Sequence, residues 1–187
     1  MQIIRQALKN DAVAVAPLIV QAMGDLACSF VGSKNAVDAI PLFETLFQHS
    51  ENQYSHDNTL VFEENGVVLG SITAYNGDDL YEYRNKLLHF IKQEYNISDL
   101  YLEDETKGGE LYIDTLSVSP LAQGKGVGTR LLKAMIQKAK SENHTQVGLL
   151  VDIENTHAKR LYLRLGFKVV GNVRLGNDAF EHMQLLL

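Results

Sequence analysis

Apolar and polar positions alternate along this chain in two different rhythms, and the change of rhythm outlines the fold. Residues 1–7 read as a short strand. Asn10 or Asp11 can cap a helix that runs to about Ala27, with Pro17 in or near its first turns. Apolar positions at Val37, Ile40, Leu42, Phe43, Leu46 and Phe47 have helical spacing over 36–48. Two β-rich runs, 59–63 and 67–75, flank Glu64-Asn65-Gly66, and Asn-Gly in that setting is a strong hairpin signal. Residues 78–95 return to helical spacing through Leu80, Tyr83, Leu87, Leu88, Ile91 and Tyr95. An acidic stretch, 99–105, and the turn Lys107-Gly108-Gly109 follow. From Glu110 the pattern becomes strand 111–118, helix 128–141, strand 146–152, helix 155–165 and final strands 168–174 and 182–187. Strands alternating with helices after an opening hairpin predict an α/β fold with a mixed sheet.

Composition narrows this picture. The 187 residues fit a single domain, 1–187, with no Pro/Gly/Ser linker and no internal repeat. Apolar residues make up 45% and charged residues 21%, which excludes a disordered chain. Lys and Arg number 17 against 23 Asp and Glu, for a net charge of −6, so a broad polyanion surface is disfavoured and no nucleic-acid partner is expected. Cys28 is the single cysteine and no Cys/His cluster has zinc-site spacing, so no metal is expected. The longest apolar run, 12–20, is interrupted by Pro17 and is half the length of a membrane span, so no membrane partner is expected either. Arg5 and Lys9 before that run give it a faint signal-peptide look, but Asp11 is misplaced for one and Ile3-Ile4 read as strand; the expectation is a cytoplasmic protein.

The segment that carries chemistry is 116–129, Leu-Ser-Val-Ser-Pro-Leu-Ala-Gln-Gly-Lys-Gly-Val-Gly-Thr. A strand ends at Pro120, Gly124, Gly126 and Gly128 follow, and a helix starts at once. Glycines let backbone N–H groups approach a ligand closely, and a helix N-terminus adds unpaired donors and partial positive charge. The site therefore suits a phosphate or pyrophosphate, to which Lys125 can add a full charge. The Walker A spacing is missing. The dinucleotide fingerprint fails as well, because its third glycine would fall on Thr129 or Leu131.

What the segment resembles is the pyrophosphate loop of the GNAT superfamily of N-acetyltransferases, Q/R-x-x-G-x-G/A, here Gln123-x-x-Gly126-x-Gly128. A second run, Leu149-x-Val151-x-x-x-Asn155-x-x-Ala158-x-x-Leu161-Tyr162-x-x-Leu165-Gly166-Phe167, is similar to that family's strand-helix-strand unit. The resemblance covers nearly the whole chain except about 77–109, which is longer than the family's usual connection. It implies a mostly antiparallel central sheet flanked by helices and splayed between its fourth and fifth strands. Acetyl-CoA would be the co-substrate, its pantetheine arm lying in the gap.

The resemblance also implies roles. Leu116, Ser117 and Val118 would supply backbone partners to the arm, with the Val118 N–H polarising the thioester carbonyl. Gln123, Gly124, Lys125, Gly126, Val127, Gly128 and Thr129 would hold the pyrophosphate. Asn155 and Tyr162, two helical turns apart, would line the arm, with the Tyr162 hydroxyl as general acid for the departing thiolate. A thiol with a pKa of about 8.5 leaves fairly well unaided, so losing Tyr162 should slow the reaction without abolishing it. A primary amine with a pKa of about 10.4 is protonated at neutral pH and needs a base. Glu110, Tyr112 and Asp114 share strand parity with Leu116 and Val118 if no bulge intervenes, and Asp114, nearest the reaction centre, is the candidate.

Plainer readings stand beside these. The three glycines could make only a tight turn, Tyr162 could simply pack, Asp114 could be an edge carboxylate, and 99–105 reads as a solvated loop before it reads as a cation trap. His182 reads as a satisfied structural histidine, Cys28 as a small buried residue, and Leu131, Leu132, Met135 and Ile136 as core. The functional expectation is direct acetyl transfer to a primary amine of a small cationic acceptor. The rivals are a non-catalytic acyl-CoA sensor and a protein acetyltransferase acting on lysines or N-termini. The hydrophobic C-terminal strands leave room for a homodimer.

Overall fold

The computed structural model describes residues 1–187. Its centre is one seven-stranded sheet: β1 (Gln2–Gln6), β2 (Thr59–Glu64), β3 (Val67–Asn76), β4 (Leu111–Val118), β5 (Gln146–Asp152), β6 (Lys168–Leu175) and β7 (Asp178–Leu186). The order is β1-β2-β3-β4-β5-β7-β6, and every neighbouring pair is antiparallel except β4 with β5. The predicted hairpin forms between β2 and β3, where Asn65 and Gly66 both take the positive φ that its tight turn demands (52° and 81°).

Six helices cover the two faces: α1 (Ala12–Met23), α2 (Asp25–Val31), α3 (Ile40–Gln48), α4 (Leu80–Tyr95), α5 (Val127–Ser141) and α6 (Thr156–Arg164). On one face α5 and α6 pack over Phe62, Ile72, Leu111, Ile113, Leu149 and Met183, and the stripe Leu131, Leu132, Met135 and Ile136 is buried there as expected. On the other, α1, α3 and α4 enclose a second core around Ile19, Phe43, Phe47, Val61 and Leu87.

Several boundaries depart from the pattern. The first helix breaks at Gly24, whose φ of 56° and ψ of −127° end α1 and let α2 leave in a new direction. Asp11 does not cap α1 with its side chain; its carboxylate is taken up by Arg5 and by the Leu8 amide. Residues 36–39 form a 3-10 turn before α3 starts at Ile40. The last strand begins at Asp178, four residues before His182, because β6 and β7 form a hairpin whose pairing extends to Leu175 and Asp178. Cys28 is half-buried.

Candidate active site

The site lies where β4 and β5 part. They pair only at Leu111–Val147, Tyr112–Gly148 and Ile113–Leu149, after which β5 bonds to β7 alone. Beyond Ile113 the strands splay, as anticipated. The Ser119 amide donates to the Leu69 carbonyl on β3 at 2.9 Å. Backbone groups of alternate strand residues point to opposite sides, so Leu116 and Val118 turn theirs toward the gap. The Val118 carbonyl there accepts from Gln21 Nε2 at 3.1 Å and Gln123 Nε2 at 3.0 Å, and Gln21 also donates to Ser117 Oγ at 2.8 Å. Gln21, on α1, thus fixes the end of β4, a contact that sequence spacing across 96 residues could not show.

At the mouth of the gap Gly124 and Gly126 have φ of 73° and 77°, a left-handed backbone that favours glycine. Gly126 is the N-cap residue of α5. The amides of Gly124, Lys125 and Gly126 donate to no backbone carbonyl, and those of Val127, Gly128 and Thr129 belong to the first helical turn, which has no intrahelical acceptors. Six successive donors therefore surround one helix N-terminus. Gly128 has ordinary room for a Cβ, with Leu161 and Val118 side-chain carbons at 3.8 Å. The closer approach is at Gly70 on β3, where a Cβ would meet Leu131 at 3.1 Å and Val127 at 3.2 Å; that glycine seats α5 on the sheet. Lys125 Nζ lies on the Leu121 carbonyl at 2.9 Å.

Asn155 is the N-cap of α6, its Oδ1 accepting from the Ala158 amide at 3.0 Å. Tyr162 is buried on the α5–α6 face with its ring 6.0 Å from Phe167. Its hydroxyl has no hydrogen-bond partner in the protein, and burial pushes the phenol up to about 12, so it carries a proton at neutral pH.

The shared parity expected along β4 is broken. Thr115 pairs with Thr73 but Ile113 pairs with Ala74, which leaves Asp114 as the extra residue of a β-bulge. Leu111 and Ile113 before it and Leu116 and Val118 after it pack on the α5–α6 face, while Tyr112 packs with Tyr75 and Leu80 on the other. Glu110 and Tyr112 therefore do not face the same way as Leu116 and Val118. Asp114, re-aimed by the bulge, sits among Tyr54, Tyr75 and Tyr112 with Glu105 nearby and makes no hydrogen bond within the protein. Burial, reinforced by the Glu105 charge, pushes its carboxyl well above the ordinary carboxylate range.

Glu110 is different. Burial would raise its carboxyl, but hydrogen bonds from His182, Thr106 and Gln184 (3.0, 2.6 and 2.7 Å) hold it below the usual range. It occupies the space a Cβ would need on Gly148. His182 is thus a structural partner of Glu110, and a carboxylate so fully engaged is a poor proton acceptor. In 99–105 the solvated-loop reading needs correction at its end: Asp104 and Glu105 are both ion-paired to Arg84 of α4, whose side chain is 9% exposed.

No single helix is long and apolar enough to cross a membrane. Among solved structures, one described as an acetyltransferase superposes with a TM-score of 0.84 at 29% identity, covering 98% of each chain. An N-acetyltransferase from Staphylococcus aureus Mu50 gives 0.83 at 25% identity, over 98% of this chain and 100% of that one. The spermine/spermidine N(1)-acetyltransferase of Bacillus subtilis (strain 168) is 35% identical over 77 residues, which are 41% of this chain and 51% of the relative. A mycothiol acetyltransferase of Gordonia bronchialis is 38% identical over 65 residues, 35% of this chain and 20% of that protein. The chain thus spans about half the length, or less, of these two curated relatives. The acetyltransferase (GNAT) family matches residues 28–167, a stretch that contains the splayed strands, the glycine loop and α6, and the chain belongs to that family.

Proposed function

We propose that this protein is an acetyl-CoA-dependent N-acetyltransferase that moves an acetyl group directly to a primary amine of a small cationic acceptor. The observation that carries this reading is the β4–β5 gap, which opens at Asp114, directly after the last paired residue Ile113, beside a loop of free amides. The amides of 124–129 would hold the pyrophosphate, and the gap-facing backbone of Leu116 and Val118 would pair with the pantetheine arm. The Val118 carbonyl would exchange its glutamine partners for an amide of the arm, while the Val118 N–H would polarise the thioester carbonyl.

Asp114 suits the role of base on chemical grounds. A carboxylate raised above the ordinary carboxylate range and free of internal hydrogen bonds has a higher proton affinity than an ordinary exposed one. It takes a proton from the acceptor ammonium and passes it to solvent, the amine attacks the thioester carbonyl, and the tetrahedral intermediate loses the extra proton on its nitrogen to solvent as it collapses with expulsion of the CoA thiolate. Tyr162, still protonated at neutral pH, supplies the proton to that sulfur. The tyrosine walls of Tyr54, Tyr75 and Tyr112 beside two carboxylates favour a cation, and the similarity to a spermine/spermidine acetyltransferase agrees with an acceptor of this kind.

The test is release of CoA thiol from acetyl-CoA across polyamines, aminoglycosides, amino acids and peptides bearing lysines or free N-termini, with wild type and Tyr162→Phe. The expected outcome is release that requires a cationic small amine, reduced about 10- to 100-fold in the variant but not lost. Saturable acetyl-CoA binding with no release for any amine would make the protein a binding module. Preference for the peptides would move the acceptor class to proteins.

A further inference from the structure

The segment between α4 and β4 is tied to both sides of the β4–β5 gap. Leu100 and Leu102 pack against the core that α1, α3 and α4 enclose. Glu103 then reaches one way, its Oε2 accepting from the Gly176 amide in the β6–β7 turn at 3.1 Å. The residues around it are held the other way. Arg84 of α4 donates to the Glu103 carbonyl at 2.8 Å and is ion-paired to Asp104 and Glu105, while the Tyr75 hydroxyl of β3 donates to Glu105 at 2.9 Å. Thr106 Oγ1 ends the run on Glu110, just before β4, at 2.6 Å. Sheet order turns these ties into a bridge. β3 lies on one side of β4, and β5 and β7 lie on the other, so a segment bonded both to Tyr75 and to the β6–β7 turn has to cross β4 and the gap beside it. Tyr75 and Tyr112 pack with Leu80 of α4, so the crossing is on the face away from α5 and α6. It is also at the open end of the gap, because Phe180, just past the turn, pairs with Asp152 at the end of β5, beyond the point where β4 and β5 part.

We infer that residues 103–106 form a fixed roof over the acceptor side of the gap and that Glu103 is a specificity-determining residue. Its bond to Gly176 limits the acceptor to a slender, unbranched chain ending in a primary amine and rejects amines carried on a peptide. The inference rests on the proposed transfer reaction in the gap. The glycine loop that would hold the coenzyme leads into α5, which covers the other face, so an amine coming from the opposite side has to pass beneath the bridge. An unbranched alkylamine is no wider than its own methylene chain. A lysine in a peptide brings a backbone at the far end of its four-carbon stem, and that backbone meets the roof. Rejection by obstruction needs a roof that does not yield, because a mobile segment is pushed aside at little cost. Arg84, Tyr75 and Glu110 fix the segment on the β3–β4 side, and the Glu103–Gly176 bond carries it to the far side. Without that bond the roof is hinged along one edge only.

The measurement is the ratio of kcat/KM for the best unbranched polyamine of the panel above to that for a short peptide with one internal lysine and a blocked N-terminus. Wild type should favour the polyamine about 100-fold or more, and Glu103→Ala should cut that preference about 10-fold through a gain on the peptide. The KM for acetyl-CoA should stay within about 2-fold of the wild type, because the coenzyme loop lies on the other face. Glu103→Gln keeps an amide oxygen that accepts from Gly176 and should keep the wild-type ratio, which separates the tie from the charge. Glu103→Ala combined with Asp104→Ala frees a second tie and should lower the preference further, with thermal melts checking that both variants fold. An unchanged ratio in the double variant, or the same loss in Glu103→Gln as in Glu103→Ala, would overturn the role of Glu103, while turnover of the polyamine would leave the proposed reaction standing. A wild type whose preferred acceptor is the peptide or a branched amine would overturn it as well. Absence of acetyl transfer to every amine of the panel would remove both.

Discussion

The two faces of the sheet are built from different chemistry. On the α5–α6 side the central strands present hydrocarbon: Leu60 and Phe62 from β2, Ile72 and Ala74 from β3, Leu111 and Ile113 from β4, Val147, Leu149 and Val151 from β5. On the α1 side the same strands present Thr59, Ser71, Thr73, Thr115 and Ser117, all buried, beside the tyrosines and Asp114. Some of these hydroxyls are satisfied, as where Thr59 and Thr73 meet at 2.9 Å or Ser117 meets Gln21. Ser71 Oγ and Thr115 Oγ1 have no partner. The first face contributes stability through area and packing, and the loop proposed to hold the coenzyme sits at its edge. The second keeps desolvated polar groups, which cost stability, and it is the face to which the proposed function assigns the acceptor and its deprotonation.

If that contrast is real, substitutions on the two faces should differ in sign as well as size. The largest effect is expected on the hydrocarbon face. Leu131→Ala, at a fully buried position of α5, should lower the unfolding free energy by about 2–5 kcal/mol, read from the midpoint of a urea transition. Next comes Asp114→Asn, which should stabilise the protein while damaging turnover. The folded-state carboxyl lies above its unfolded value, so between those two values the native state binds more protons than the unfolded one, and stability falls as pH rises through that window. The variant should therefore melt above the wild type at pH 7. The difference should close as pH drops below the ordinary carboxylate value of about 4, where Asp114 is protonated in both states. A lower melting temperature at pH 7 would count against the desolvated Asp114. The smallest effect is expected for Thr115→Val. It removes an unpartnered hydroxyl and keeps the shape, so the urea midpoint should stay or rise slightly, within about 0.5 kcal/mol or a little more. A loss as large as that at Leu131 would erase the distinction between the faces.

The readability of the sequence follows the same division. The helices and strands after Glu110, the Asn65-Gly66 hairpin and the core stripe of α5 are local in origin, and side-chain periodicity or turn chemistry dictates each. The glycine loop was equally legible, because the positive φ of Gly124 and Gly126 is a property of those residues and their neighbours. Residues 77–109 were not. The helix Leu80–Tyr95 could be read from its spacing, but nothing local says that Arg84 reaches 20 residues ahead to Asp104, or that Glu105 turns inward to Tyr75. The strand parity at Asp114 failed for a related reason. A bulge is a mismatch between two strands, here β3 and β4, and is invisible in either strand alone.

By itself, then, the sequence determined the alternation of elements, the mixed α/β class, the core stripe of α5 and the glycine loop, since all of these depend on residues close together in the chain. Tertiary structure decided which carboxylate is employed and which is free. Glu110, just before β4, and Asp114 within it lie four residues apart, yet His182, Thr106 and Gln184 saturate the first, while burial and Glu105 leave the second raised and unbonded. A carboxylate's proton affinity is set by the dielectric and the charges within a few ångströms, and those neighbours come from β3, β7, the segment before β2 and the α4–β4 connection.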